Sequence, residues 1–83
     1  MEIRFQPKAT RQLARLPANV VRLIRAKIDQ LGKDPSSLAN NIKALRGEAG
    51  MFRLRVGDWR VIYSEDGMVI DIIRIAPRGS AYD

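Results

Sequence analysis

The chain has 83 residues, 46% apolar and 29% charged, with fifteen Lys and Arg against nine Asp and Glu for a formal net charge of +6. Such a composition gives one folded domain with a single modest core and excludes a disordered chain. The sequence holds no cysteine and no histidine, which removes disulfides, thiolate and imidazole metal sites, and any Ser-His-Asp or Cys-His catalytic pairing.

The first element, EIRF (2 to 5), alternates as a short strand does. Pro7 suits the first position of a helix, and Phe5, Ala9, Leu13 and Leu16 follow at helical spacing. A second, longer helix starts at Pro17, with Val21, Ile24, Ile28 and Leu31 on one stripe and Arg22, Arg25 and Asp29 away from its centre. Gly32 followed by Asp34-Pro35 predicts its stop. PSSLANN (35 to 41) reads as a connection with room for a helical turn.

Beyond that connection the period changes from helical to alternating. IKALRG leads into MFRLRV (51 to 56), WRVIYS (59 to 64) and MVIDIIRI (68 to 75). Gly57-Asp58 and Asp66-Gly67 predict two-residue hairpin turns. The expected fold is a single α+β domain over residues 1–83: two N-terminal helices packed on one face of a small antiparallel sheet, with a short opening strand.

A two-residue turn at Gly57-Asp58 sets Val56 opposite Trp59, Arg55 opposite Arg60, Leu54 opposite Val61 and Arg53 opposite Ile62. Phe52, Leu54, Val56, Trp59, Val61 and Tyr63 then share the face that packs on the helices. Arg53, Arg55 and Arg60 share the other, joined by Asp71 and Ile73 if the second turn also holds two residues. That face is expected to be open to a partner. Like charges directly opposite each other destabilise a sheet, so Arg55 against Arg60 suits a polyanion better than mere solvation. Asp71 is expected either as a local counter-ion or as the group that orients Arg60.

Eleven of the fifteen cations are arginine, the side chain that grips phosphate through paired hydrogen bonds. The expected partner is nucleic acid or an acidic protein. The acids Glu48, Asp58, Glu65, Asp66, Asp71 and Asp83 lack metal-ligand spacing, which argues against a two-metal nuclease, and neither metal nor cofactor is expected. No apolar run reaches the roughly 18 residues of a membrane span. MEIRFQPKATRQ has no continuous apolar stretch of the signal-peptide kind, so a cytoplasmic location with no membrane partner is expected.

The segment LRGEAGMFRLRVGDWRVIY (45 to 63) and the tail RIAPRGSAY (74 to 82) together resemble the RelE/ParE superfamily of toxins from toxin–antitoxin pairs. The resemblance covers nearly the whole chain. It implies a type II toxin that enters the A site of the 70S ribosome and cuts mRNA there without a metal. A ribose 2′-hydroxyl attacks the adjacent phosphorus and leaves a 2′,3′-cyclic phosphate. The site it implies comprises Arg53, Arg55, Arg60, Arg78 and Tyr82. Arg53 and Arg55 match positions assigned to general-base work and phosphate binding, Arg60 an arginine on the scissile phosphate, Arg78 one at the leaving 5′-oxygen, and Tyr82 a tyrosine that stacks on the base. Lys43 and Arg46 join Arg53, Arg55 and Arg60 as the implied RNA-binding set.

The match departs from the family pattern at 53 and 55, where the best-known RelE branch has lysine. A guanidinium does not give up its proton, with a pKa above about 12, so the base is left open among Lys43, Tyr82 and purely electrostatic catalysis. Pro77 stands where several relatives carry histidine. The resemblance also implies a cognate antitoxin with an acidic or amphipathic segment, and contact with operator DNA only through that antitoxin. ParE-type members imply a rival activity, non-catalytic binding and inhibition of DNA gyrase.

Overall fold

Helical spacing in the first part of the chain produces the two helices that the sequence predicts. The computed structural model describes residues 1–79. It opens with strand β1 (Glu2–Phe5) and enters helix α1 (Pro7–Ala14) with Pro7 in its first turn, where a missing N–H costs nothing. Helix α2 (Ala18–Lys33) follows, with Pro17 at its N-cap. Ala9 and Leu13 of α1 and Ile24, Ile28 and Leu31 of α2 are buried, and Arg22, Arg25 and Asp29 are exposed. The Arg25 guanidinium lies 5.1 Å from the centroid of the Phe5 ring, a cation–π contact between α2 and β1.

Gly32 does not end α2, which continues to Lys33. A methyl group added at Gly32 would sit 3.0 Å from Cδ1 of Ile3 and 3.3 Å from the Met1 carbonyl oxygen. The glycine is a close-approach residue that lets β1 cross the last turn of the helix, where the Met1 ammonium donates to the Gly32 carbonyl at 2.7 Å. The stop comes from Asp34-Pro35, because the residue before proline is driven out of the helical region; Asp34 has φ −151° and ψ 75°. Pro35–Asn41 then forms a short 3₁₀ helix that buries Leu38, so the described residues hold three helices where the sequence predicts two.

Strands β2 (Ile42–Ala44), β3 (Met51–Val56), β4 (Trp59–Glu65) and β5 (Val69–Pro77) form the predicted antiparallel meander. The sheet order is β1-β5-β4-β3-β2, and β1 pairs with β5 in parallel. The sheet is therefore mixed, not wholly antiparallel. Alternation in EIRF predicts a strand but not which edge it joins. The pairing sets Ile3 beside Ile70 and Phe5 beside Ile72, which extends the apolar face under the helices.

The β3–β4 register is the predicted one, with Val56 opposite Trp59, Arg55 opposite Arg60 and Arg53 opposite Ile62. Gly57 has φ +58° and Asp58 has a negative φ, the pattern of the type II′ turn that suits the twist of a hairpin. The β4–β5 register is not the predicted one. Asp66 and Val69 flank the second turn, so its centre is Gly67-Met68, and Glu65 pairs with Ile70. A bulge follows between Ile62 and Tyr63: Tyr63 pairs with Ile72, Ile62 with Arg74, and Ile73 is the extra residue.

Leu54, Val56, Val61, Tyr63, Ile70, Ile72 and Ile75 of the sheet pack with Ala9, Leu13, Ile24, Ile28 and Leu31 of the helices, with Phe52 and Trp59 at the margin. Burying each large aliphatic side chain contributes about 1.5–3 kcal/mol. Trp59 belongs to this margin, as its place in the register predicts.

Candidate functional site

The pairing arranges the sheet face away from the helices into rows that cross the strands. One row runs Lys43, Arg53, Ile62, Arg74 over β2, β3, β4 and β5. The next, towards the Gly57 turn, runs Arg55, Arg60, Ala76. On the other side lies Met51, Ser64, Asp71, Arg4. Neighbouring strands are about 4.8 Å apart, so the first two rows bring Lys43, Arg53, Arg55, Arg60 and Arg74 into one field of positive charge.

The sequence predicts an open arginine face, and the structure corrects that. Arg55 is exposed, Arg53 is half-buried, and Arg60 is only 6% exposed. Arg60 turns back on its own hairpin, and its Nη1 donates to the carbonyls of Gly57 at 3.0 Å and Trp59 at 3.1 Å. Ile62 and Ala76 are also buried, yet neither belongs to the helix-side core. Arg53 and Arg74 flank Ile62 across the strands, and long side chains of this kind can lay their methylenes over apolar surface.

Arg53 donates from Nη1 to the Asn41 carbonyl at 3.4 Å, and its buried Nε has no acceptor. A buried donor left unpaired costs about 1–3 kcal/mol, so an added acceptor beside Arg53 would be favoured. Asp71 does not orient Arg60. It lies opposite Ser64 and beside Arg4, two rows from the Arg60 row. Arg4 has its pKa raised first by the hydrogen bond it donates to Glu2 and then by the Glu2 charge, with Asp71 adding to them.

Arg78 lies at the Gly57 end of the face. Its backbone N–H donates to the Asp58 carbonyl at 2.8 Å, and its Nη1 is 3.8 Å from Asp58 Oδ1 with both side chains exposed. Arg46 is exposed in the β2–β3 connection, beyond the opposite end of β3 from Arg55, and stands apart from the two basic rows. Tyr82 falls outside the described residues. Tyr63, which closes the sequence motif, is buried and stacks on Phe52 with ring centroids 5.4 Å apart. Burial first, and the Glu65 charge second, push its pKa up to about 12, so its phenol stays protonated and is no base.

Arg74 is the basic residue of this face that the predicted register misses. Regular alternation from Ile70 and Ile72 would send Arg74 under the helices and Ile73 to the basic face. The signal in the sequence is the doubled isoleucine in DIIRI, which breaks the two-residue period just before the arginine. Among the described residues no group of histidine, cysteine and carboxylate side chains could hold a metal ion. No helix among them is long and apolar enough to cross a membrane. The chemistry within reach of this face is electrostatic: binding a phosphate and stabilising charge that develops on it.

The family model described as the ParE toxin of the type II toxin–antitoxin system parDE matches residues 3–82. No curated protein sequence matches the chain. Among solved structures, the chain is similar to the archaeal RelE–RelB complex from Pyrococcus horikoshii OT3, with 29% identity, 96% of this chain and 97% of that chain covered, and a TM-score of 0.80. The RelBE2 toxin–antitoxin complex from Mycobacterium tuberculosis matches at 28% identity, 93% and 96% coverage and a TM-score of 0.68. The chromosomal ParDE system from P. aeruginosa shares the fold at 18% identity, 94% and 96% coverage and a TM-score of 0.68. The match over nearly the whole sequence, on a fold common to both branches, identifies the chain as a member of the ParE toxin family, a RelE/ParE-superfamily toxin of a type II toxin–antitoxin system.

Proposed function

We propose that this toxin is a ribosome-dependent endoribonuclease that cleaves mRNA in the A site by attack of the ribose 2′-hydroxyl on the adjacent phosphorus. The observation that carries the reading is the pair of basic rows, Lys43–Arg53 and Arg55–Arg60, gathered on one sheet face beside Arg78. The nucleophile belongs to the RNA, so the protein needs to supply positive charge around the phosphorane, and preorganised charge is worth most where water is thin. In this reading Arg53 and Arg55 bind the phosphate, Arg78 neutralises the leaving 5′-oxygen, and Tyr82 stacks on the base. Arg60 adds its buried charge from beneath the same face while holding the Gly57 turn, which Arg55 precedes and Arg78 contacts through Asp58. The base is open between Lys43, Tyr82 and none.

The relatives at 29% and 28% identity are RelE-type complexes with RelB-type antitoxins. By the same likeness this toxin pairs with a cognate antitoxin whose acidic or amphipathic segment covers the basic face, gaining from charge and burial together.

The second reading is gyrase inhibition, favoured by the ParE description of the matching family model. Brief induction followed by mapping of mRNA 5′ ends separates the two. New ends within codons of translated messages are expected. Intact messages with inhibited supercoiling by purified gyrase would replace the endonuclease reading with the gyrase one.

A further inference from the structure

We propose that Arg74 is an RNA-binding residue of the basic face, holding a phosphate next to the scissile one; this rests on the endonuclease reading. The bulge at Ile73 is the first observation. It lets β5 send Ile70, Ile72 and Ile75 to the core while turning Arg74 outward, opposite Ile62. Bulges recur beside functional sites because they re-aim one side chain without unpairing the strand.

The row is the second observation. Arg53 and Arg74 stand on either side of Ile62, two strand spacings or about 10 Å apart. Ile62 is 1% exposed while Arg53 and Arg74 are half-buried, as long side chains flanking an apolar residue would be. Two forked heads at that separation bracket neighbouring phosphates of one strand. Asp71, the acid of β5, lies in the next row beside Arg4. Arg74 on this account binds and positions substrate, and the reacting phosphate belongs to Arg53 and Arg55.

The test uses a short fluorescent single-stranded RNA and the whole toxin, with binding followed by anisotropy across a salt series. Arg74→Met keeps the apolar stem and removes the charge. It is expected to bind about tenfold more weakly and to lower the slope of log K against log salt by about 0.7, the share of one phosphate contact on a single strand. On programmed ribosomes it is expected to raise KM and leave kcat unchanged. Arg74→Lys is expected to keep the slope and lose about threefold in affinity as the fork is lost. A folded Arg74→Met variant with the wild-type slope and KM overturns the proposal. So does weaker antitoxin binding with RNA binding unchanged, which would give Arg74 to the antitoxin. If Arg74→Met does not fold, Arg74→Lys with wild-type affinity overturns it instead. Wild-type cleavage on ribosomes tests the endonuclease reading separately: its absence, with the salt slope still altered in Arg74→Met, removes that reading and leaves Arg74 as a nucleic-acid contact.

Discussion

Arg55 and Arg60 face each other across β3 and β4, yet Arg55 is exposed and Arg60 is buried with its guanidinium folded onto the Gly57 and Trp59 carbonyls. Two like charges in register avoid each other by occupying different depths. The pair is half structural and half presented to a partner, and its members should respond differently to removal.

Arg60→Ala is expected to destabilise the fold by about 1–3 kcal/mol, because it deletes a buried stem and charge-assisted hydrogen bonds to the hairpin. For a domain of this size that lowers the melting temperature by about 4–8 °C per kcal/mol. Arg55→Ala is expected to leave stability unchanged or raise it by about 0.2–1 kcal/mol, the scale of a cross-strand pair. Thermal melts of both variants check this, and equal losses would contradict it.

Arg78→Ala separates activity from folding. Its side chain makes one exposed ion pair, with Asp58, and such pairs contribute about 0–1 kcal/mol. The variant is expected to melt within a few degrees of wild type, to bind ribosomes normally and to lose orders of magnitude in single-turnover cleavage, as removal of a transition-state charge does. A large fall in melting temperature would make Arg78 a strut of the β3–β4 turn instead.

Tyr63 supplies a spectroscopic check on the core. Burial raises its pKa from 10.0 to about 12, so the neutral phenol is favoured by folding. The stabilisation is complete below pH 10 and is lost as pH rises towards the folded value. In Tyr82→Phe, where Tyr63 is the remaining tyrosine, phenolate absorbance should rise near pH 12. A transition near pH 10 in the folded protein would show the Phe52–Tyr63 stack open to water.

Asp66 checks the turn that the sequence misplaces. Its Oδ1 accepts the backbone N–H groups of Val69 and Met68 at 2.8 and 2.9 Å, and these bonds, the one to Val69 first, lower its pKa below 3.8. A lowered carboxylate pKa stabilises the fold above the unfolded value and ceases to do so as pH falls through the folded one. The stability difference between wild type and Asp66→Ala should therefore be constant from pH 5 to 8 and shrink below about pH 4. A difference independent of pH would mean the carboxylate is not what holds the turn.

The β3–β4 hairpin was legible because two signals agree there. Gly57 fixes the turn, and strict alternation on both sides permits only one register. The β5 register was not, because Ile72-Ile73 satisfies either face and hides the bulge that brings Arg74 to the basic side. Strand period also reports which face a side chain leaves from and not how deep it ends. Period puts Arg60 on the basic face, where the structure has it, but says nothing of its depth, since the fold-back depends on carbonyls of its own turn. Gly32 reads as a helix stop by its residue type, whereas in the structure it answers to Ile3 on a strand 29 residues earlier in the chain.

The central claim is that positive charge on one sheet face turns the RNA's own 2′-hydroxyl against its phosphate. The most direct test is the chemistry of the ends left when purified toxin cuts mRNA on programmed ribosomes. A 2′,3′-cyclic phosphate upstream and a free 5′-hydroxyl downstream are predicted, with the yield of these ends falling sharply in Arg55→Ala and Arg78→Ala. A 3′-hydroxyl with a 5′-phosphate, or uncut message, would contradict the account.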